Sequence, residues 1–175
     1  MRDYCLGNPL DAETSLGPLS SARAAEQVRA QVSDAVAAGA QAHIEPRLFP
    51  ADAPGTAYLM PQVLTGVDHD MAVMREESFG PVIGLMRVKN DEEAVRLIND
   101  SDLGLTASIW TEDIAAGERL GAQVEAGTVY VNRCDYLDAG LAWAGMKDSG
   151  RGASLGTYGY DSVTRPKSFH MRPAR

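Results

Sequence analysis

The chain has 175 residues and a formal net charge of −8, from 24 acidic and 16 basic side chains. This length is typical of one domain, which buries roughly 70% of its unfolded surface. Because the lysines and arginines are scattered rather than clustered, we expect no nucleic acid partner. The N-terminus has no apolar signal segment, and no run approaches the roughly 18 apolar residues of a membrane span. The sequence therefore predicts a cytoplasmic protein with no membrane partner.

The cysteines and histidines do not form a metal-binding pattern. Cys5 and Cys134 are the only cysteines, and the three histidines lack ligand spacing, so we predict no metal site and no disulfide framework. Each thiol has two interpretations, a nucleophile or an incidental thiol. We favour the second, because no sequence neighbour of either cysteine is a credible activating base.

The first half of the chain contains one strong helix signal. After an irregular lead-in over residues 1–19, apolar residues recur at spacings of three and four. Ser20 or Ser21 can cap the start of this helix, and Gly39 lies where a left-handed cap would end it. Weaker patterns predict a strand at 41–45, a loop at 46–55, a strand at 58–64 with its proline at an edge or bulge, and an extended piece at 71–74.

The second half alternates between strand and helix patterns. Strands are predicted at 82–88, 105–110 and 128–132, and helices at 91–99 and about 112–124, the second begun by Thr111 or Asp113. Acidic residues in the first turn of the 91–99 helix complement its dipole. Strand–helix–strand order with short links predicts an α/β fold with an open, parallel-type sheet and flanking helices.

The run EESFGPV at residues 76–82 places two carboxylates and an aromatic ring before a buried strand. Side chains alternate in an extended segment, so Glu76 and Glu77 should not share a role, whereas Glu77 and Phe79 should face the same side. A carboxylate accepts two hydrogen bonds from a vicinal diol, and an aromatic face packs on a flat ring. The pair therefore suits a nucleoside, the alternative being a surface acidic pair beside a core phenylalanine.

The loop at residues 134–146 follows the last predicted strand, beyond whose carboxyl end ligands collect in open sheets. It mixes acidic, aromatic and apolar side chains, as small-molecule sites do: Asp135, Tyr136, Leu137, Asp138, Leu141 and Trp143. A plain surface loop is the alternative. The glycines at 150, 152 and 156 imitate a phosphate loop, but their spacing favours a turn. Residues 167–171 alternate polar and apolar and predict a final strand.

Short segments along nearly the whole chain resemble, in order, motifs of the aldehyde dehydrogenase family. The segments are GNPLD at 7–11 with GPL at 17–19, EESFGPV at 76–82, NDS at 99–101 with GL at 104–105, EAGTVYVN at 125–132, KDSG at 147–150 and TRPK at 164–167. The family's cysteine nucleophile, glutamate base, oxyanion-binding asparagine and dinucleotide-binding domain all precede the first of these segments. The chain therefore resembles the C-terminal part of the catalytic domain, and no residue in it is predicted to be catalytic.

The resemblance implies a cofactor, a substrate class and an assembly. Glu77 would bind the nicotinamide-side ribose of NAD or NADP, and Phe79 would lie against that ribose and the nicotinamide. The 134–146 loop, with Asp135, Tyr136, Leu137 and Trp143, would line the entrance for an aldehyde. It departs from the family where AWAG at 142–145 stands in place of P-F-G-G, which leaves the substrate class open.

The implied division of the chain is a lead-in at 1–19, the catalytic-domain portion at 20–165, and a C-terminal strand and tail at 166–175. In the family that strand joins an oligomerisation sheet, so we expect a homo-oligomer. Two interpretations stay open. The chain is either a part of an aldehyde dehydrogenase whose chemistry is completed elsewhere, or a non-catalytic remnant or interaction module with the same fold.

Overall fold

A computed structural model describes residues 3–134 and 136–174. The helices are α1 (Ala22–Ala37), α2 (Ala72–Arg75), α3 (Asp91–Asn99), α4 (Ile114–Gly121) and α5 (Tyr158–Val163), with a short 3-10 helix at Pro46–Leu48. The strands are β1 (Gln41–Ala42), β2 (Gln62–Thr65), β3 (Val82–Leu85), β4 (Leu103–Gly104), β5 (Thr106–Ile109), β6 (Thr128–Val131), β7 (Trp143–Ala144), β8 (Met146–Lys147) and β9 (Ala153–Ser154). This mixture of helices with short, partly parallel sheets confirms the predicted α/β class.

The chain divides into two compact units, Met1–Arg87 and Val88–Arg175. Each unit contains one parallel strand pair and helices of its own. The division of the chain at residues 19/20 and 165/166, which the family resemblance implies, stays a prediction.

The first unit is built on a three-stranded sheet and the helix α1. Strand β2 lies in the middle, antiparallel to β1 and parallel to β3, with Gln62 opposite Val82. The helix begins as predicted, because the Ser21 hydroxyl accepts a hydrogen bond from the Ala24 amide at 3.1 Å. Gly39, at a φ of 109°, follows its C-terminus in the predicted left-handed region.

The apolar side chains of the first unit form three buried clusters. One contains Ala35, Ala40, Leu64, Val67 and Met71, a second contains Leu6, Ile44 and Phe49, and a third contains Ala25, Val28 and Leu59. Residues of α1 take part in two of them, which explains the apolar spacing seen in its sequence. The EESFGPV segment ends beside this core, since Val82 packs against two of the clusters.

Several local predictions in this unit were wrong. The strand predicted as buried over 82–88 ends at Leu85, and its Ile83 and Leu85 are 47% and 51% exposed. The strand predicted at 41–45 covers only Gln41–Ala42, and the predicted loop at 46–55 begins with a 3-10 helix.

Residues 71–74 were expected to be extended, but α2 forms there, with the Met74 amide bonded to the Met71 carbonyl at 2.9 Å. So short an apolar run has no period that separates strand from helix, and the packing of Met71 in the core decides. The strand expected over 58–64 begins only at Gln62, directly after Pro61, which has no amide hydrogen for a sheet.

The second unit carries the parallel pair β5 and β6, with Thr106 opposite Thr128. Asn90 caps α3, and three acidic residues occupy its first turn as predicted. Asp113, one of the two expected caps, caps α4, which ends at Gly121, a little before the predicted end. The short strands β4 and β8 pair antiparallel, as do β7 and β9.

Residues 164–174 carry no regular secondary structure in the single chain. A terminal strand needs a partner edge to pair with, so the strand at 167–171 stays a prediction. Within residues 3–134 and 136–174, no helix is long and apolar enough to cross a membrane.

Candidate functional site

The segment that carries Glu77 and Phe79 is held by one buried side chain of α1. The Gln31 side chain is only 4% exposed. Its amide nitrogen donates to the Glu76 carboxylate at 3.3 Å, and its amide oxygen accepts from the Ser78 hydroxyl at 2.7 Å. Alternate residues of the segment are therefore directed towards α1.

Glu77, which lies between Glu76 and Ser78, and Phe79, which follows them, are exposed, and so is Glu76. Glu77 is in contact with solvent, and Phe79 is 85% exposed. The sequence-based expectation that the two glutamates have different roles agrees with this arrangement, since only Glu76 accepts the hydrogen bond from Gln31. An exposed carboxylate and an exposed ring two residues apart fit one sugar and one flat heterocycle.

Phe79 adopts a backbone conformation that is rare for a residue with a side chain. Its φ is 48°, in the left-handed region, where a non-glycine residue costs on the order of 1–3 kcal/mol. Gly80 follows, and a Cβ built there would approach a Val28 methyl group at 2.9 Å. The glycine thus permits close contact with α1 directly after Phe79. Such strained residues cluster at ligand sites.

The predicted substrate loop is anchored at its start. Asn132, at a φ of 55°, follows β6, and its side chain bonds both the amide and the carbonyl of Thr111 at 2.8 Å. Thr111 follows β5, so both residues lie at the carboxyl ends of the parallel pair. This is the edge at which the sequence placed the loop.

The middle of the loop is anchored by a buried tyrosine of β6. The Tyr130 hydroxyl donates to the Tyr136 carbonyl at 2.8 Å. The Arg133 guanidinium lies 4.0 Å from the centroid of the Tyr136 ring, in a cation–π contact. Further along, the Gly156 amide donates to the Ala139 carbonyl at 3.0 Å. Tyr136 and Leu137 are exposed on this frame, while Asp135 lies outside the described residues.

Trp143 has a different setting from the exposed part of the loop. It is half-buried in β7, and with Leu105 and the 149–152 turn it lines a cleft of about 350 Å³. Gly150 and Gly152 both have positive φ, in agreement with the predicted turn. The loop therefore has two distinct parts, an exposed surface around Tyr136 and a cleft around Trp143.

Several segments that resemble family motifs meet at Lys147 at the far end of the loop. The Lys147 ammonium donates to the carbonyls of Asn99 and Ser101, at 2.6 and 2.8 Å, and pairs with the Glu125 carboxylate at 2.6 Å. The Asn99 side chain in turn bonds the Gln123 carbonyl and the Glu125 amide, both at 2.8 Å. These residues support the fold and do not form an open site.

The two cysteines and a cleft in the first unit are separate from the segments described above. Cys5 and Cys134 are both free and exposed. A cleft of about 470 Å³ in the first unit lies between α1 and the β1–β2 side of the sheet. It is lined by none of the predicted site residues, and its Arg29 is already bonded to Asp52 and to the carbonyls of Ala53 and Tyr58.

The predicted site residues are thus divided between the units. Glu77 and Phe79 belong to the first, and Tyr136, Leu137 and Trp143 belong to the second. Sequence reasoning missed Gln31, Tyr130 and Lys147 as supporting residues. A glutamine among the apolar positions of α1 was a usable signal, because a buried amide needs partners.

Comparison with known proteins gives the family. Residues 1–169 match the profile described as the aldehyde dehydrogenase family. The chain is 39% identical over 166 residues to a betaine aldehyde dehydrogenase 2 of Rhizobium meliloti, covering 95% of this chain and 34% of that protein. It is 37% identical over 169 residues to a succinate-semialdehyde dehydrogenase [NADP(+)] of Deinococcus radiodurans, covering 97% and 35%.

Solved structures agree with these sequence matches. The betaine aldehyde dehydrogenase of Staphylococcus aureus in complex with NAD+ superimposes with a TM-score of 0.81 and 30% identity, over 92% of this chain and 32% of that one. The chain belongs to the aldehyde dehydrogenase family. It spans about a third of the length of the relatives that it matches.

Proposed function

We propose that this chain is the C-terminal portion of an NAD(P)-dependent aldehyde dehydrogenase, an oxidoreductase that converts an aldehyde to a carboxylic acid. The observation that carries the proposal is the split of the EESFGPV segment, with Glu76 and Ser78 bound to Gln31 and with Glu77 and Phe79 exposed together. Family membership supplies the ligand class for this pair.

Glu77 and Phe79 fit the nicotinamide end of the cofactor. A carboxylate accepts hydrogen bonds from both hydroxyls of a ribose, and charge-assisted bonds of this kind are the strong ones. Phe79 offers an exposed ring face beside it. The nicotinamide-side ribose is the same in NAD and NADP, so the pair serves either nucleotide. When bound, the nucleotide accepts the hydride of the aldehyde.

The second unit contributes the aldehyde entrance. Its loop combines the exposed side chains of Tyr136 and Leu137 with the cleft at Trp143. Asp135 belongs to the same proposal by its place in the sequence. Because tryptophan and alanine stand where many family members have phenylalanine and glycine, we expect the accepted aldehyde to depend on Trp143.

The nucleophile is expected from outside residues 1–175, in a preceding segment or a separate partner. Nucleophile, base and oxyanion donor act as a unit whose loss removes many orders of magnitude in rate. The purified chain should therefore not oxidise betaine aldehyde or succinate semialdehyde with NAD or NADP. Oxidation that disappears in Cys134→Ala would contradict this.

The positive test restores the missing chemistry. The N-terminal two thirds of the Rhizobium meliloti relative, joined ahead of this chain, should give nucleotide-dependent aldehyde oxidation. Glu77→Gln should then lower kcat/KM for the nucleotide by at least tenfold, because a charge-assisted bond is worth about 1.5–3 kcal/mol. Glu76→Gln is the matched control, since its amide oxygen can still accept from Gln31. Equal effects of both changes would refute the assignment of Glu77.

Binding by the chain alone should be weak. One charge-assisted contact contributes about 1.5–3 kcal/mol, whereas micromolar affinity requires about 8 kcal/mol after the costs of association. Calorimetry with NAD should show no saturation at micromolar concentrations. A dissociation constant of a few micromolar that is lost in Glu77→Gln would show that the site is stronger than proposed.

A second candidate is a non-catalytic interaction module with the same fold. It is favoured by the large apolar side chains exposed on the described chain, among them Phe79, Trp110, Ile114 and Val163. The reading frame upstream discriminates between the two candidates. A dinucleotide-binding domain and a cysteine motif encoded there favour the enzyme, and their absence favours the module.

Self-association is part of either proposal. Phe169 and Met171 are exposed in the C-terminal segment, and an unpaired strand edge recruits partners. The charge of −8 opposes association but is screened at physiological salt. Light scattering coupled to size exclusion should show a dimer or larger species. A monomer at tens of micromolar would contradict this, and an unchanged oligomer after truncation at Thr164 would exclude the segment.

A further inference from the structure

We infer that Gln31 is a positioning residue for Glu77 and Phe79. Its buried amide holds Glu76 and Ser78 of the 76–80 segment, in which Glu77 and Phe79 are exposed. The ligand in this inference rests on the proposed function, whereas the positioning itself rests on the contacts of Gln31.

Both ends of the Gln31 amide are used. Its oxygen accepts from Ser78 at 2.7 Å and its nitrogen donates to Glu76 at 3.3 Å. Its two partners, Glu76 and Ser78, are separated by one residue. In an extended segment such residues lie on the same face, so the amide contacts only one face of the segment. Glu76 is extended, with φ −99° and ψ 152°, as this reading requires. Glu77 lies on the opposite face of the segment, away from Gln31.

The same helix face holds the other end of the segment. Val28 lies one turn before Gln31 on α1, and Gly80 packs against its methyl groups. Phe79 is thus held between two contacts to α1, one polar through Ser78 and one apolar through Gly80. A non-glycine residue stays at positive φ only where its surroundings fix it, and these two contacts provide that constraint.

A purely structural role for Gln31 makes a different prediction. If its amide only satisfied buried polar groups, its loss would lower the stability of the whole unit without a specific change at Phe79. If it positions the segment, its loss should release Phe79 while Phe49 in the core keeps its environment. The two roles are therefore separated by a probe at each phenylalanine.

Fluorine NMR on chain labelled with 4-fluorophenylalanine provides that probe. The chain has three phenylalanines: Phe49 is 2% exposed, and Phe79 and Phe169 are exposed in different segments. Single replacements by leucine at Phe79 and Phe169 assign the signals. We then compare Gln31→Leu, which is close in size but lacks the amide, with Gln27→Leu, which removes the same group from the exposed face of α1.

We expect Gln31→Leu to shift or broaden the Phe79 signal, with an increase of about tenfold in opening of the segment, as loss of one to two hydrogen bonds implies. The signals of Phe49 and Phe169 should stay in place, and Gln27→Leu should match the unmodified chain. Ser78→Ala removes one of the two bonds and should give a smaller effect in the same direction. This variant keeps the test valid if Gln31→Leu does not fold.

An unchanged Phe79 signal in Ser78→Ala and in folded Gln31→Leu would overturn the inference, as would equal changes at all three phenylalanines. Titration of the unmodified chain with nicotinamide mononucleotide at millimolar concentration tests the ligand separately. A Phe79 shift that Glu77→Gln abolishes supports the proposed nucleotide contact. A flat titration would count against that contact, while the comparison of variants still decides the role of Gln31.

Discussion

The two units of this chain differ in how they hold their functional segments. In the first, α1 and the sheet enclose three apolar clusters, and the 76–80 segment rests on that packed helix. In the second, within described residues 88–134 and 136–174, Val124 and Tyr130 are the only apolar or aromatic side chains that are buried. Its loop is held by a hydroxyl, an asparagine, a lysine and backbone bonds.

The difference shows that two parts of one chain can hold a functional segment in two ways. The stability that hydrophobic burial supplies grows with the apolar area buried. The packed first unit therefore keeps α1 in place, and one amide of α1 can then hold the 76–80 segment. Where few apolar side chains are buried, each hydrogen bond supplies a larger share of local stability. Core substitutions should therefore matter most in the first unit, and polar substitutions should stand out in the second.

The largest expected effect comes from the same leucine-to-alanine change in each unit. Leu64 is fully buried in the first core, and Leu137 is 61% exposed in the loop. Leu64→Ala should lower the free energy of unfolding by about 3 kcal/mol, because it leaves a cavity. Leu137→Ala should change it by less than about 0.5 kcal/mol. Urea unfolding followed by circular dichroism measures both, and comparable losses would remove the contrast between the units.

Removing the Lys147 ammonium should have the next largest effect. Its side chain is 26% exposed and contacts two carbonyls and the Glu125 carboxylate. Lys147→Met keeps the apolar stem but removes these charged bonds, at a cost of about 2 kcal/mol. Hydrogen exchange should rise at the Gly104 and Gly127 amides, while the exposed control Lys89→Met leaves them unchanged. Exchange that rises equally in β2 of the first unit would mean that Lys147 acts globally.

The smallest effect is expected at Tyr130, whose hydroxyl holds the loop at Tyr136. Tyr130→Phe keeps the buried ring and removes one hydrogen bond, worth about 1 kcal/mol. We expect an increase of about fivefold in exchange at the Gly156 amide and faster tryptic cleavage after Arg133, with little change in Tm. Tyr158→Phe, on the exposed surface of α5, is the control. Identical cleavage rates in both variants would show that this bond does not restrain the loop.

Part of the candidate site was readable from the sequence because its signals are local. The spacing of Glu76 and Glu77 predicted different contacts for them, and only Glu76 accepts a hydrogen bond from Gln31. Phe79, at a positive φ, departs from the extended conformation on which its predicted alignment with Glu77 was based, so that alignment stays a prediction. The position of the 134–146 loop followed from strand order alone. The departure of Trp143 from the family pattern was visible without coordinates.

The partners of the supporting residues were not readable, because they are far away in the sequence; for Gln31 the sequence signalled only that a buried amide would need partners. Gln31 meets Glu76 and Ser78 after 45 and 47 residues, and Lys147 meets Asn99 after 48. No local sequence pattern indicates contacts between residues so far apart. In the sequence Tyr130 is one of several residues of a predicted strand, and only the folded structure shows that the loop lies over its hydroxyl.

The sequence by itself determined the family, the α/β class and the helices α1 and α3, because caps, dipole-complementing acids and apolar spacing act within a few residues. Only the tertiary structure decided that residues 72–75 are helical. It also decided that the chain forms two units with unequal cores. These outcomes depend on which distant surfaces meet, and burial between distant surfaces overrides weak local preference.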